Sequence, residues 1–426
     1  MLLGIAVIGV AASASAGRHP YVPPVVKGSA GPRVTGGAGA PNWIATWGAA
    51  PQRAIATNLS ARGFDRATIR QIAFTSIGGT MVRIRVSNTF GVKPLLVGAA
   101  AIGAAGAGAA VLPGSNRVLR FGARRSVLIP PGAEALSDPV KFNVKPLQRL
   151  AASLYLPVPT GPATEHVVAA QTNYAASGNR AAALDSAGFT TQTRSWYFLD
   201  GIDVLAPRRD IGSVVTLGDS ITDGVGSSLG GDTRYPNDLA RRLQARAGPT
   251  LGVVDEGIGG NRVLNDSPCC GVNAVARFQR DVAGRAGVRE VILLEGVNDI
   301  GFSAHLDGRA KPRAGVTAAE IIAGDELLIA QAHADGLKIF GATLTPFKGA
   351  KYWTAAGEAK RGAVNHWIRT GGAFDGVIDF ATVLADRADA AKLNSVWDHG
   401  DHLHPDSAGY QRMANAIDIA ALVREA

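Results

Sequence analysis

A chain of 426 residues is longer than one average domain needs, and its 46% hydrophobic content excludes a disordered protein. The formal charge of +9 comes from Lys and Arg scattered without a dense basic run, which argues against a nucleic-acid partner. The cysteines, Cys269 and Cys270, are adjacent, which excludes a disulfide framework and a Cys-based zinc site. They leave open a small-ring disulfide or two small loop residues.

Residues 1–16 read as a signal peptide. An apolar run ends in Ala14-Ser15-Ala16, a small-residue pattern that places cleavage before Gly17, although the usual positive start is missing. The run is too short and too rich in Gly and Ala for a stable membrane span. The expected location is secreted or periplasmic. Residues 17–40, rich in Gly, Pro and Ala, read as a flexible linker.

Residues 41–205 read as short strands. In "MVRIRVSN", Val82, Ile84 and Val86 share one face, and Arg83 and Arg85 the other, which reads as the solvated side. "RSVLIPPGAE", "RLAASLYLPVP" and "RSWYFLDGIDV" behave alike, with Gly, Pro, Asn and Asp between them. Trp196, Tyr197 and Phe198 read as core. "GAAAIGAAGAGAAVLPG" reads as a strand and a surface loop. Together these segments predict an antiparallel β-sandwich, jelly-roll-like, as an N-terminal domain.

In residues 206–426 the rhythm changes. Apolar runs at 214–217, 251–254, 291–294, 339–343 and 377–378 alternate with helical patterns at 236–245, 273–284, 318–334, 355–369 and 407–423. This alternation predicts an α/β class domain, a three-layer α/β/α stack on a mostly parallel sheet. Ligands in such folds sit at the carboxyl ends of the strands, so the residues just after each run matter most.

Those residues are Gly218-Asp219-Ser220 with Thr222, Asp223 and Gly224, then "DEGIGGNR", "EGVNDIG", the Thr345–Phe347 stretch "TPF", and "DHGDHLHPDSAGY". Gly257, Gly259 and Gly260 read as a tight loop. Asp219 and Asp223 read as charges complementing a helix end. The set suits acyl transfer. A serine hydroxyl attacks once a histidine takes its proton, and that histidine needs a carboxylate on its other nitrogen. Asp401 and His404, three apart, would share one face of a helical turn. The Ser220 amide, the Gly260 amide and the Asn298 side chain are available to hold an oxyanion.

Four ordered blocks, "GDSITDG", "EGIGGN", "GVND" and "DHLHP", resemble those of the SGNH hydrolases, also called the GDSL esterase/lipase family. The resemblance covers some 190 residues and leaves 41–199 outside it. It implies a flavodoxin-like domain with Ser220 as nucleophile, Asp401 orienting His404 as base, and Ser220, Gly260 and Asn298 as the oxyanion hole. Asp255 stands where many members have Asn, a position that supports the loop. The reading implies a carboxylic ester substrate: a short-chain acyl ester, an acetylated saccharide or a lysophospholipid. No cofactor is required.

Three alternatives remain. An acyltransferase would use the same acyl-enzyme with an alcohol acceptor. A zinc hydrolase could draw on Asp398, His399, Asp401, His402 and His404. A carbohydrate-binding protein would work through the β-domain, whose contact with saccharide is a partner expectation in its own right. His166, His305, His333 and His366 read as surface or satisfied core residues.

Overall fold

Alternation decides the first half of the chain. In the strand Gly79–Ser87, Val82, Ile84 and Val86 are fully buried. In a computed structural model, which describes residues 41–56, 58–267, 269–304 and 315–424, the strands before residue 206 form two larger antiparallel sheets. The expectations for 1–40 and for His305 lie outside the described residues.

One sheet runs Trp43–Gly48, Leu199–Leu205 and Gly79–Ser87, with Glu134–Leu136 and Val140–Val144 both on the last. The other runs Thr191–Thr193, Asn173–Ser177, Ala67–Phe74, Arg149–Leu156, Ala99–Ala104 and Arg117–Leu119. Apolar side chains of both, among them Trp47, Ile84, Ile102 and Leu154, share one core with Trp196, Tyr197 and Phe198. The alanine-rich stretch supplies the strand Ala99–Ala104 and a loop. That loop is tied inward, because the buried Arg70 donates to Ala109 O at 2.6 Å.

The polar face of Gly79–Ser87 is not the solvated side its pattern suggested. Arg83 pairs with Asp203 at 2.9 Å, and Arg85 pairs with Glu134 at 3.2 Å and donates to Gly284 O at 3.2 Å. Tertiary neighbours supply acceptors that strand periodicity does not reveal.

The second half builds one parallel sheet of five strands in the order Thr250–Gly257, Asp210–Gly218, Val288–Leu294, Lys338–Ala342, Gly376–Ile378. This is the 2-1-3-4-5 order of flavodoxin-like folds. The chain reverses its winding between the first and third strands, and the crevice opens at their carboxyl ends. Tyr235–Gln244, Ala318–Ala334 and Ala355–Thr370 are helices as expected. Two helical patterns break. The first is Ala274–Phe278 followed by a wider π turn at Gln279–Ala283, where Asp281 meets Arg277 at 3.3 Å and Arg280 at 2.5 Å. The last splits into Ser407–Ala416 and Ile419–Leu422, since Ile417 is extended and Asp418 caps a new turn.

The two halves dock along the Thr250–Gly257 strand, an edge that would otherwise be open to pairing. Ala45 N donates to Ala286 O at 2.8 Å, and Val253 N donates to Ser76 Oγ at 2.8 Å. Arg285, buried, pairs with Glu256 at 2.7 Å and lies 3.8 Å from Asp200 of the first half.

Arg277 is the largest polar investment of the second core. Fully buried, it donates to Gly218 O at 3.0 Å, Glu256 O at 2.7 Å and the Asn261 side chain at 3.0 Å. Arg277→Met removes the donor from the Asn261 side chain and one donor each from Glu256 O, Gly218 O and the Asp281 carboxylate. Breaking a buried pair this way costs about 3–5 kcal/mol. A urea midpoint for the second half unchanged from the wild type would refute this account.

Candidate active site

The strand Asp210–Gly218 ends where space runs out. A Cβ at Gly218 would lie 2.3 Å from Leu294 O and 2.2 Å from Thr222 Oγ1, so only glycine lets the chain turn there. The turn Ser220–Asp223 follows, capped by Asp219, whose Oδ1 accepts from Ile221 N at 2.9 Å. Asp219 thus has the helix-end role expected of it. Burial pushes its carboxyl up to about 7, against the pull of the Ile221 N–H and His404. Ser220 is the first residue of the turn and is 6% exposed.

Asp223 departs from its expectation as a helix-end charge. It is buried and spans two loops: Oδ1 lies 3.1 Å from His166 Nε2, and Oδ2 accepts from Gly259 N at 3.0 Å. In the glycine loop, Gly260 has the left-handed conformation, with φ +75°. Gly257 serves by close approach instead, since a Cβ there would sit 2.2 Å from Asp223 N. Asp255 supports this loop through its 3.0 Å bond from Gly257 N.

Asn298 lies in the first turn of the helix Val297–Ala304, after the third strand. Its Nδ2 donates to Asn261 O at 3.0 Å, which ties it to the residue following Gly260. Its Oδ1 accepts from Tyr352 Oη at 3.3 Å. With both amide ends engaged, the second Nδ2 hydrogen has a defined direction. Tyr352 was missed in the sequence, where only Thr345–Phe347 stood out after the fourth strand. Phe347 is fully buried and packs under the Tyr352 ring at 6.0 Å. The Ser220 and Gly260 amides donate to no acceptor among the described residues.

The histidine arrives on a loop, not on the helical turn that its spacing suggested. Asp401 Oδ1 accepts from Leu403 N at 3.0 Å and His404 N at 2.9 Å, an Asx turn that brings both side chains to one side. Asp401 Oδ2 then lies 2.5 Å from His404 Nδ1. Although burial raises the Asp401 pKa, the hydrogen bonds and charge of His404 outweigh it and hold the carboxyl well below its usual range. With Nδ1 donating to that carboxylate, Nε2 is left as an acceptor, 2.8 Å from Ser220 Oγ. Residues 184 apart in sequence thus form one relay.

The other members of "DHGDHLH" do not join this relay. Asp398 pairs with His402 at 2.7 Å, and His399 is exposed. Among the described residues no group of three His, Cys, Asp or Glu side chains converges to hold a metal ion. His333 pairs with Asp375 at 2.9 Å and His366 is exposed. Cys269 and Cys270 form a disulfide, and a Cβ at Gly260 would lie 2.6 Å from the Cys270 sulfur.

No curated protein matches the chain. Among solved structures, a GDSL-like lipase from Bacteroides thetaiotaomicron VPI-5482 is similar at 18% identity over 49% of this chain and 87% of its own, with a TM-score of 0.37. An alpha/beta hydrolase from the metagenome of Lake Arreo is similar at 22% identity over 50% and 96%, TM-score 0.37. An acetyl xylan esterase is similar at 17% identity over 48% and 96%, TM-score 0.36. The assignment rests instead on a family model. Residues 216–412, which hold Ser220, Gly260, Asn298, Asp401 and His404, match the GDSL-like Lipase/Acylhydrolase family and form a carboxylic ester hydrolase domain of that kind.

Proposed function

We propose that the chain is a secreted or periplasmic serine esterase working through an acyl-enzyme on Ser220. The observation that carries the reading is the relay of Ser220 Oγ to His404 Nε2 at 2.8 Å and His404 Nδ1 to Asp401 at 2.5 Å. His404 takes the Ser220 proton as Oγ bonds to the ester carbonyl carbon. The negative charge on the carbonyl oxygen is held by the Ser220 and Gly260 amides and by Asn298 Nδ2. The tetrahedral intermediate then collapses. The C–O bond to the alcohol breaks, and the alcohol leaves with the proton from His404. Water, deprotonated by the same imidazole, attacks the acyl carbon and releases the acid and free Ser220.

The substrates proposed are short-chain acyl esters, acetylated saccharides or lysophospholipids. The leader pattern ending at Ala16 supports the location, as does the Cys269–Cys270 disulfide, a bond that persists in oxidising compartments. A fluorophosphonate probe tests the chemistry. It should label Ser220 once per chain, block p-nitrophenyl acetate hydrolysis in proportion, and do so equally with a chelator present. Full hydrolysis after complete labelling, or hydrolysis that the chelator abolishes, would overturn the reading.

A further inference from the structure

His166 lies in the first half of the chain, on the short strand Glu165–His166 paired with Trp196–Tyr197, yet its nearest charged partner is Asp223 of the second half. Both side chains are buried, at 4% and 2% exposure. Every hydrogen-bond partner of the imidazole is an acceptor. Nδ1 faces Ala50 O at 3.0 Å, and Nε2 faces Asp223 Oδ1 at 3.1 Å and Val168 O at 3.3 Å. A neutral ring carries one N–H and would turn a lone pair toward one of these oxygens. Two N–H groups, the imidazolium, satisfy them all.

Asp223 passes the constraint on. Its second oxygen accepts from Gly259 N, the amide directly before Gly260. The neighbouring cation, Arg234, is 3.9 Å from Asp223 and 4.0 Å from Asp255, and its Nη2 donates to Val168 O at 2.9 Å and Ala169 O at 2.6 Å. Thus Arg234 grips the backbone beside His166 while His166 grips the turn that follows Ser220.

We propose that the N-terminal half is part of the esterase machinery, with His166 a positioning residue that, as an imidazolium, sets the Gly260 amide through Asp223 and Gly259. The proposal rests on the serine-esterase reading above. Burial would lower the His166 pKa, but the Asp223 charge and hydrogen bond, opposed by Arg234, outweigh it and leave it raised. The sign follows: the cation is fully present below the ordinary pKa of about 6.5 and is lost as pH rises through the raised value. Deprotonation removes the positive charge facing Asp223 and turns a lone pair toward one of the surrounding oxygens, which loosens the oxyanion loop.

The test uses the full chain, p-nitrophenyl acetate and fluorophosphonate titration to count working sites. His166→Gln is expected to lower kcat per site about tenfold with KM within about twofold, because the oxyanion contact is made in the transition state. It should also remove the alkaline fall in kcat/KM expected of the wild type. An unchanged kcat and an unchanged alkaline limb would overturn the proposal. Should His166→Gln fail to fold, Asp223→Asn decides: its amide still accepts from Gly259 N and can donate to a neutral imidazole. That variant should lose the alkaline limb whatever its effect on kcat; a retained limb would sink the idea. Ser220→Ala in the same assay separates the two readings. Activity surviving there removes the serine mechanism itself, whereas a His166 result at odds with expectation, on a Ser220-dependent background, removes only this proposal.

Discussion

Ser220→Ala should lower kcat for p-nitrophenyl acetate by about 10⁶-fold, the scale seen when a triad serine is removed. The fold should not change. Among the described residues Ser220 Oγ bonds only to His404, and the turn it opens is capped by Asp219. Removing one buried oxygen therefore leaves strand, cap and glycine loop as they were. On the proposed mechanism a residual rate of about 10³–10⁴ over water should persist, with Gly260 and Asn298 left in place to hold the substrate oxygen. Circular dichroism and the thermal midpoint should match the wild type. A decrease of less than tenfold, with the fold intact, would mean that another group attacks the ester.

Asp401→Asn should lower kcat by about 10⁴-fold at every pH at which the enzyme is folded. The carboxylate holds the His404 proton on Nδ1, which leaves Nε2 free to accept from Ser220. An asparagine amide at the same place can turn its N–H toward Nδ1, so that Nε2 carries the proton and faces Ser220 as a donor. The turn itself should survive, because the asparagine Oδ1 can still accept from Leu403 N and His404 N. The loss would then be one of proton placement and not of loop shape. Asp398→Asn is the matched control. Asp398 stands in the same loop but pairs with His402, so its kcat should stay within about threefold. Equal losses in the two variants would show that the loop's conformation, not the Asp401 charge, is what His404 needs.

Periodicity carried the architecture because it is a local property. Period-two stretches such as Gly79–Ser87 bury one face wherever the sheet lies. Alternating apolar runs and helices leave a parallel sheet as the economical solution. The site was legible for a related reason. Ser220, Gly260, Asn298, Asp401 and His404 each follow a strand or precede a helix, and the carboxyl edge of a parallel sheet gathers such positions. Where local spacing alone was used, it misled. The Asp401–His404 interval works through an Asx turn, and the helical pattern to residue 423 breaks at Ile417.

What the sequence by itself determined was therefore the class of each half, the strand ends and the chemical groups placed at them. Only the tertiary structure decided which side chains those groups meet. Tyr352 reaches Asn298 across 54 residues, Arg277 reaches Gly218 across 59, and His166 reaches Asp223 across 57. Arg83 and Arg85 acquire ion-pair partners in the same way. Such contacts depend on where buried acceptors lie in three dimensions, and a buried polar group must be paired whatever its distance along the chain. Hydrophobic spacing records which face turns inward; it does not record which carbonyl or carboxylate waits there.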